Sequence, residues 1–163
     1  MHELVVLIAK YFIALSVLGA AVTFFRLDTP HKKRFVIAAI IGAVVAVVLA
    51  KIGSKLFYNP RPFVVGHFKP WLPHGNDNGF PSDHTLLASY LAALCLWYSR
   101  KLGAVLFAIA LAIGLARVAA GVHHLIDIIG AIICGTIGAY AGNLLAMRIA
   151  PRHHYQHESR RPS

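Results

Sequence analysis

Long apolar runs alternate with short polar breaks along the whole chain. Five runs stand out, at about 4–25, 35–57, 85–98, 102–121 and 125–147. Most approach the ~20 residues needed to cross ~30 Å of hydrocarbon at 1.5 Å per residue. The third is short; extended back to Ser82 it has 17 residues, roughly 25 Å of helix. Its start is therefore expected at or slightly below the membrane surface. The first run has no basic stretch ahead of it and exceeds the ~7–15 residues of a signal-peptide core, so it reads as a retained helix. The expected fold is all-α, an integral-membrane bundle of about five transmembrane helices. Residues 1–148 would form one transmembrane domain, with 149–163 a basic tail.

Composition strengthens this picture. The 163 residues are 58% hydrophobic, above the roughly 45–50% of a soluble domain. The 13 glycines suit close helix approach in a bilayer, and Gly138-x3-Gly142 reads as a packing stripe within the bundle or between subunits. The formal charge of +10 raises nucleic acid as a partner, but the Lys and Arg sit in short clusters between apolar runs. That placement encodes membrane orientation and argues against nucleic-acid binding. Cys95 and Cys134 stand singly in apolar segments, without the spacing of a disulfide framework or zinc site.

Orientation follows from the breaks. Arg26, Lys32, Lys33 and Arg34 follow the first run, Arg100 and Lys101 the third, and Arg148, Arg152, Arg160 and Arg161 the fifth. These hold ten of the sixteen Lys and Arg. With five spans all three clusters fall on one side, which the positive-inside rule assigns to the cytoplasm, together with the carboxyl terminus. Segment 58–81 and the turn 122–124 then face out of the cytoplasm, across an inner or plasma membrane. The outer segment carries five of the eight prolines, with Phe63, Phe68, Trp71 and Phe80. Pro and Gly at this density argue against a helix, and the aromatics suit the headgroup belt. It is expected to be a surface loop that frames a site.

Ionisable residues at the ends of membrane helices are costly and mark function by default. Here they gather at one level: Lys51 and Lys55, Asp83 and His84, Arg117, and His123 with Asp127. His123 and Asp127 lie i and i+4 apart, so the carboxylate can take the proton of one ring nitrogen and leave the other as a nucleophile. The bland alternative is a structural His–Asp bond, and Arg117, a forked anion donor, tips the balance. Ser82 is a good N-cap, and a helix start offers free N–H groups to phosphate. Lys55 and Arg61-Pro62 add a point charge and a fork. Two or three cations, two histidines, a carboxylate and a helix N-terminus are what phosphoryl transfer requires.

Lys55-x5-Arg61-Pro62, Pro81-Ser82-Asp83-His84 and Ala116-Arg117-x5-His123-x3-Asp127 together resemble the three motifs of the type 2 phosphatidic acid phosphatase superfamily. Those motifs are Lys-x6-Arg-Pro, Pro-Ser-Gly-His and Ser-Arg-x5-His-x3-Asp. The resemblance implies a helical bundle, commonly of six membrane helices, against five countable here. It implies phosphate binding by Lys55, Arg61, Ser82 and Arg117, a phosphohistidine on His123, orientation by Asp127 and leaving-group protonation by His84. A membrane lipid phosphate is the implied substrate, with no metal and no cofactor. The first spacing is one residue short, which leaves Lys51 as an alternative to Lys55. Ala116 stands where the motif has Ser. Asp83 stands where it has Gly, a variant that resembles the bacitracin-resistance type of undecaprenyl pyrophosphate phosphatase; positioning His84 or meeting a second phosphate are its open roles. Phosphatidylglycerol phosphate and phosphatidate are alternative substrates, and an anion or metal transporter is the alternative class. His124 is expected at the interface, and His67, His74, His153, His154 and His157 as solvated histidines.

Overall fold

The structure, a computed structural model, describes residues 2–150. It is a helical bundle: α1 (His2–Tyr11), α2 (Ile13–Arg26), α3 (Thr29–Leu56), α4 (Pro62–Val65), α5 (Asp83–Leu96), α6 (Arg100–Ala119) and α7 (Leu125–Ile149). Among the described residues there is no named strand, only an isolated antiparallel bridge between Pro60 and Asn78. Taken as one unit, α1 and α2 make a first span; with α3, α6 and α7 there are four helices long and apolar enough to cross a membrane. The shorter apolar α5 completes the five expected.

The lipid solvent explains the distribution of side chains. Leu18, Ile40, Val44, Leu115 and Ile133 point outward and exposed, as apolar residues can when hydrocarbon surrounds them. Inside, small residues set the spacing. A Cβ on Gly138 would lie 2.6 Å from the Ala46 Cβ, and one on Gly142 would lie 2.3 Å from the Ala38 carbonyl oxygen. The Gly138–Gly142 stripe thus packs α7 on α3 within the bundle. Helix α5 has the most enclosed position, touching α2, α3, α6 and α7. Its 14 residues give a rise of about 21 Å, so it cannot span the full hydrocarbon thickness unaided.

Four local expectations need correction. The first span is not a single helix: it breaks at Phe12. Lys32, Lys33 and Arg34 lie not in a loop but in the first turns of α3, because Asp28 caps that helix by accepting from the His31 N–H at 3.2 Å and Pro30 suits its first turn. The outer segment contains the one-turn α4, which Pro62 starts rather than prevents. Ser82 occupies the N-cap position of α5, yet its hydroxyl bonds Thr85 Oγ1 at 3.2 Å and not a backbone N–H.

The two ends of the bundle differ. Arg34 Nε donates to the Ala150 carbonyl at 2.6 Å, and Phe35 packs on Tyr98, so the basic start of α3, the α5–α6 turn and the end of α7 meet at one end. The basic and histidine-bearing positions beyond Ala150 lie outside the described residues. At the other end the outer segment folds over the helix ends. The Trp71 N–H donates to the Ala120 carbonyl at 3.0 Å, Leu72 is buried among Ala9, Phe63, Ala116 and Val122, and His2 stacks edge-on against Trp71. Asn78 locks its return: its side chain accepts from the N–H groups of Asn59 and Phe80 and donates to Ser54 and Phe57 at the end of α3.

Candidate active site

His123 lies between α6 and α7, three per cent exposed, held by the turn in which Gly121 takes φ +75°. Its Nδ1 is 3.3 Å from Asp127 Oδ2, and its Nε2 is 3.3 Å from Arg61 Nη1. These partners fix the tautomer. Arg61 can only donate, so Nε2 must carry the lone pair and Nδ1 the proton, which faces the carboxylate. Burial, chiefly, and the positive fields of Arg117 and Arg61 hold the ring below the usual histidine range, against the opposing pull of Asp127. The ring is therefore a neutral base at neutral pH, its Nε2 lone pair facing Arg61.

Asp127 is fully buried and saturated. Oδ1 accepts from Asn59 Nδ2 at 2.7 Å, and Oδ2 accepts from the His124 N–H at 2.8 Å as well as facing His123. The same carboxylate thus caps α7 and orients the histidine. Its backbone carbonyl accepts from the Ser82 N–H at 3.2 Å, tying the start of α7 to the start of α5. Gly79 lies against this carboxylate: a Cβ there would stand 3.1 Å from Asp127 Oδ2. His124, expected at the interface, is half-buried, and its Nε2 contacts the Pro60 carbonyl at 3.2 Å.

The two arginines enter from different elements. Arg61, just before α4, is buried; Nη1 also donates to the Val122 carbonyl at 3.0 Å, and Nε donates to Asp77 Oδ1 at 2.9 Å. That bond, before any other influence, holds the exposed Asp77 carboxyl below its ordinary range. Arg117, one turn from the end of α6, donates from Nη1 to the Ala9 carbonyl at 3.3 Å and from Nη2 to His74 Nε2 at 2.7 Å. Its buried Nε has no hydrogen-bond partner. His84 is half-buried on the first turn of α5, within reach of the charges of Asp83, Arg117 and His123.

A cavity of about 420 Å³ beside Arg61 is lined by Lys51, Ser54, Asp77, Asn78 and Asp83 among others. Lys51, not Lys55, is on this lining; Lys55 is exposed outside it. The position seven residues before Arg61, where a Lys-x6-Arg-Pro spacing would put the lysine, holds Ser54, whose carbonyl and hydroxyl bind Asn78. A second opening of about 450 Å³, walled by Phe68, Trp71, Val118 and Leu125, reaches His123. Such apolar walls fit the lipid part of a substrate.

The structure therefore brings His123, Asp127, Arg61, Arg117, Ser82 and His84 together, with Lys51 and Asp83 on the adjoining cavity. Sequence reading missed Asn59, Asp77 and Asn78, and it misread His74. Asn59 adjoins the Pro60-Arg61-Pro62 turn, the one signal that could have flagged it. The others are fixed by how the proline-rich segment folds back, which no local pattern encodes.

Residues 32–152 match the family model of the PAP2 superfamily. The chain is 30% identical over 159 residues to the bacitracin transport permease protein BcrC of Bacillus licheniformis, covering 97% of this chain and 76% of that protein. It is 29% identical over 138 residues to the undecaprenyl-diphosphatase BcrC of Bacillus subtilis, covering 84% and 70%. Its fold is similar to that of the first transmembrane PAP2 type phosphatidylglycerolphosphate phosphatase from Bacillus subtilis, with TM-score 0.65, 20% identity and coverage of 91% and 77%. Aquifex aeolicus LpxE is also similar in fold, with TM-score 0.55, 23% identity and coverage of 86% and 92%. A helical membrane bundle, the three motifs converging on one end and a family match over most of its length lead to one conclusion: the chain belongs to the PAP2 superfamily, as a multi-pass membrane phosphatase of that family.

Proposed function

We propose that this phosphatase hydrolyses undecaprenyl pyrophosphate to undecaprenyl phosphate through a phosphohistidine on His123, at a site facing out of the cytoplasm. The observation that carries the mechanism is the polarised ring: Nδ1 on Asp127, Nε2 with its lone pair beside Arg61. The Nε2 lone pair attacks the terminal phosphorus as the bond to the bridging oxygen breaks. Asp127 stabilises the positive charge that develops on the ring, and His84 gives its proton to the departing lipid phosphate. Water then attacks the phosphorus, passing a proton to His84, as the phosphorus–nitrogen bond breaks, its electron pair returns to His123 Nε2 and inorganic phosphate leaves. Arg61, Lys51 and the N–H groups at the start of α5 neutralise the transferring group, and Arg117 adds positive charge to the bound diphosphate.

The substrate reading is supported by the similarity to the undecaprenyl-diphosphatase of Bacillus subtilis and by Asp83, the variant residue in the second motif. The outward-facing site is supported by the basic end of the bundle lying opposite the motifs. A transporter is disfavoured because, among the described residues, the buried ionisable side chains Arg61, Arg117, His123 and Asp127 lie at one end. Buried polar side chains deeper in the helices are partly closed on their own backbone, as Thr23 on Gly19 and Asn143 on Ala139.

The test is phosphate release from purified undecaprenyl pyrophosphate, phosphatidylglycerol phosphate and phosphatidate in one detergent. Preference for the pyrophosphate is expected. Preference for a glycerolipid would remove the substrate assignment and leave the phosphatase standing.

A further inference from the structure

The proline-rich outer segment places a histidine where the motifs have none. His74, half-buried, contacts Arg117 Nη2 through Nε2 at 2.7 Å, and its ring packs edge-to-face on His123 with centroids 6.1 Å apart. Arginine only donates, so His74 Nε2 is an acceptor and the neutral ring carries its proton on Nδ1. That nitrogen is buried and has no hydrogen-bond partner, and the same is true of Arg117 Nε. Buried donors are nearly always paired in folded proteins. Two unpaired N–H groups, joined through one arginine–histidine contact beside the nucleophile, call for a ligand that brings several acceptor oxygens.

From this we infer that His74 is a substrate-binding residue whose Nδ1–H, together with Arg117 Nε–H, holds the lipid-side phosphate of a diphosphate while the terminal phosphate lies against His123. The inference rests on the diphosphatase reading above. The terminal phosphate already has donors in Arg61 and the start of α5, whereas a diphosphate brings a second anionic group that needs its own. Because the His74 and His123 rings stand edge-to-face with centroids 6.1 Å apart, a diphosphate can meet both.

The ring is suited to this as a neutral donor. Burial, first, then the positive fields of Arg117 and Arg61 push its pKa down to about 4. Only the Pro73 carbonyl pulls the other way, and it lacks hydrogen-bond geometry to Nδ1. His74 therefore stays uncharged across the pH range in which a histidine normally titrates, and adds a hydrogen bond without adding a cation that would retain the lipid phosphate product.

Two substitutions separate this role from simple support of Arg117. In His74→Gln the amide oxygen can replace Nε2 as acceptor for Arg117, but the Nδ1 donor is lost. In His74→Asn the amide N–H takes the place of Nδ1 and the acceptor is lost. Inhibition of the purified, full-length protein by inorganic pyrophosphate and by inorganic phosphate gives the readout, alongside kcat/KM on undecaprenyl pyrophosphate. His74→Gln is expected to weaken pyrophosphate inhibition and kcat/KM about 10- to 100-fold, the range for a hydrogen bond to a charged group, with phosphate inhibition changed less than about twofold. His74→Asn is expected to stay closer to wild type for pyrophosphate. Unchanged pyrophosphate inhibition in His74→Gln, equal weakening of both anions, or a greater loss in His74→Asn overturns the inference. Failure of the diphosphatase reading shows separately, as absence of diphosphate hydrolysis by the wild-type protein.

Discussion

A single carboxylate organises the reacting groups. Asp127 takes three hydrogen-bonding contacts, from Asn59, the His124 N–H and His123, and so cannot turn away from the imidazole without leaving buried donors unpaired. The acid limb of kcat/KM reports the free base of His123. Since its folded pKa is lowered, the reactive neutral form persists to lower pH, and the limb should have its midpoint below the ordinary value of 6.5. Asp127 opposes that lowering, so Asp127→Asn should move the midpoint further down while reducing the rate. A midpoint above 6.5 in the wild type would contradict this electrostatic balance. The cations allow a ranking as well. Arg61→Lys loses the fork that reaches Val122, His123 and Asp77 together and should lower kcat/KM about 100-fold or more. Lys51→Ala should cost more than Lys55→Ala in the same assay, because only Lys51 lines the cavity beside Arg61. The reverse order would return the phosphate lysine to position 55.

Helices bring these residues together through glycines and through one folded segment. A Cβ at Gly142 would meet the Ala38 carbonyl at 2.3 Å and Gly42 at 2.8 Å, so no small side-chain movement relieves it. Gly142→Ala should destabilise the α3–α7 contact by about 1–3 kcal/mol, the range for overpacking. Gly75→Ala, where the nearest atom is 3.7 Å away, is the matched control, and thermal unfolding in detergent separates them; equal midpoints would show that α7 can shift freely on α3. The elements were largely legible in the sequence, because an apolar run of membrane length has few alternatives to a helix. The pair of His123 and Asp127 was legible from its spacing, although His123 stands two residues before α7 and meets the carboxylate across the turn that Asp127 caps, not along a helix face. Positions fixed by long-range folding were not legible. His74 reads as a solvated loop histidine until Leu72 anchors the segment under α1 and α6. The lysine spacing was ambiguous because Lys51 and Lys55 share one face of α3, and only the path of the chain back through Asn78 decides which of them borders the cavity.

At the scale of the whole molecule, one end is basic and the other carries the chemistry. The protein is a multi-pass membrane phosphatase, and charge asymmetry orients it with the motif end out of the cytoplasm in the proposed reading. A membrane-impermeant thiol reagent on intact cells should label Gly75→Cys in the outer segment above the wild-type background and leave Lys101→Cys, in the first turn of α6, unlabelled. The opposite pattern would invert the orientation without touching the fold. In the same proposed reading, the short α5 lets its start sit recessed, so that an anionic headgroup enters while the tail stays in hydrocarbon along the apolar walls of Phe68, Trp71 and Val118.

The central claim is that phosphate passes through a covalent bond to His123 Nε2. Rapid quenching of the protein after mixing with diphosphate substrate labelled in its terminal phosphate tests it most directly. The account predicts a label on the protein that is stable to base and labile to acid, as a phosphorus–nitrogen bond is, located on His123 and absent from His123→Ala. Full turnover by His123→Ala, or a wild-type protein that hydrolyses substrate without ever carrying the label under single-turnover conditions, would contradict it.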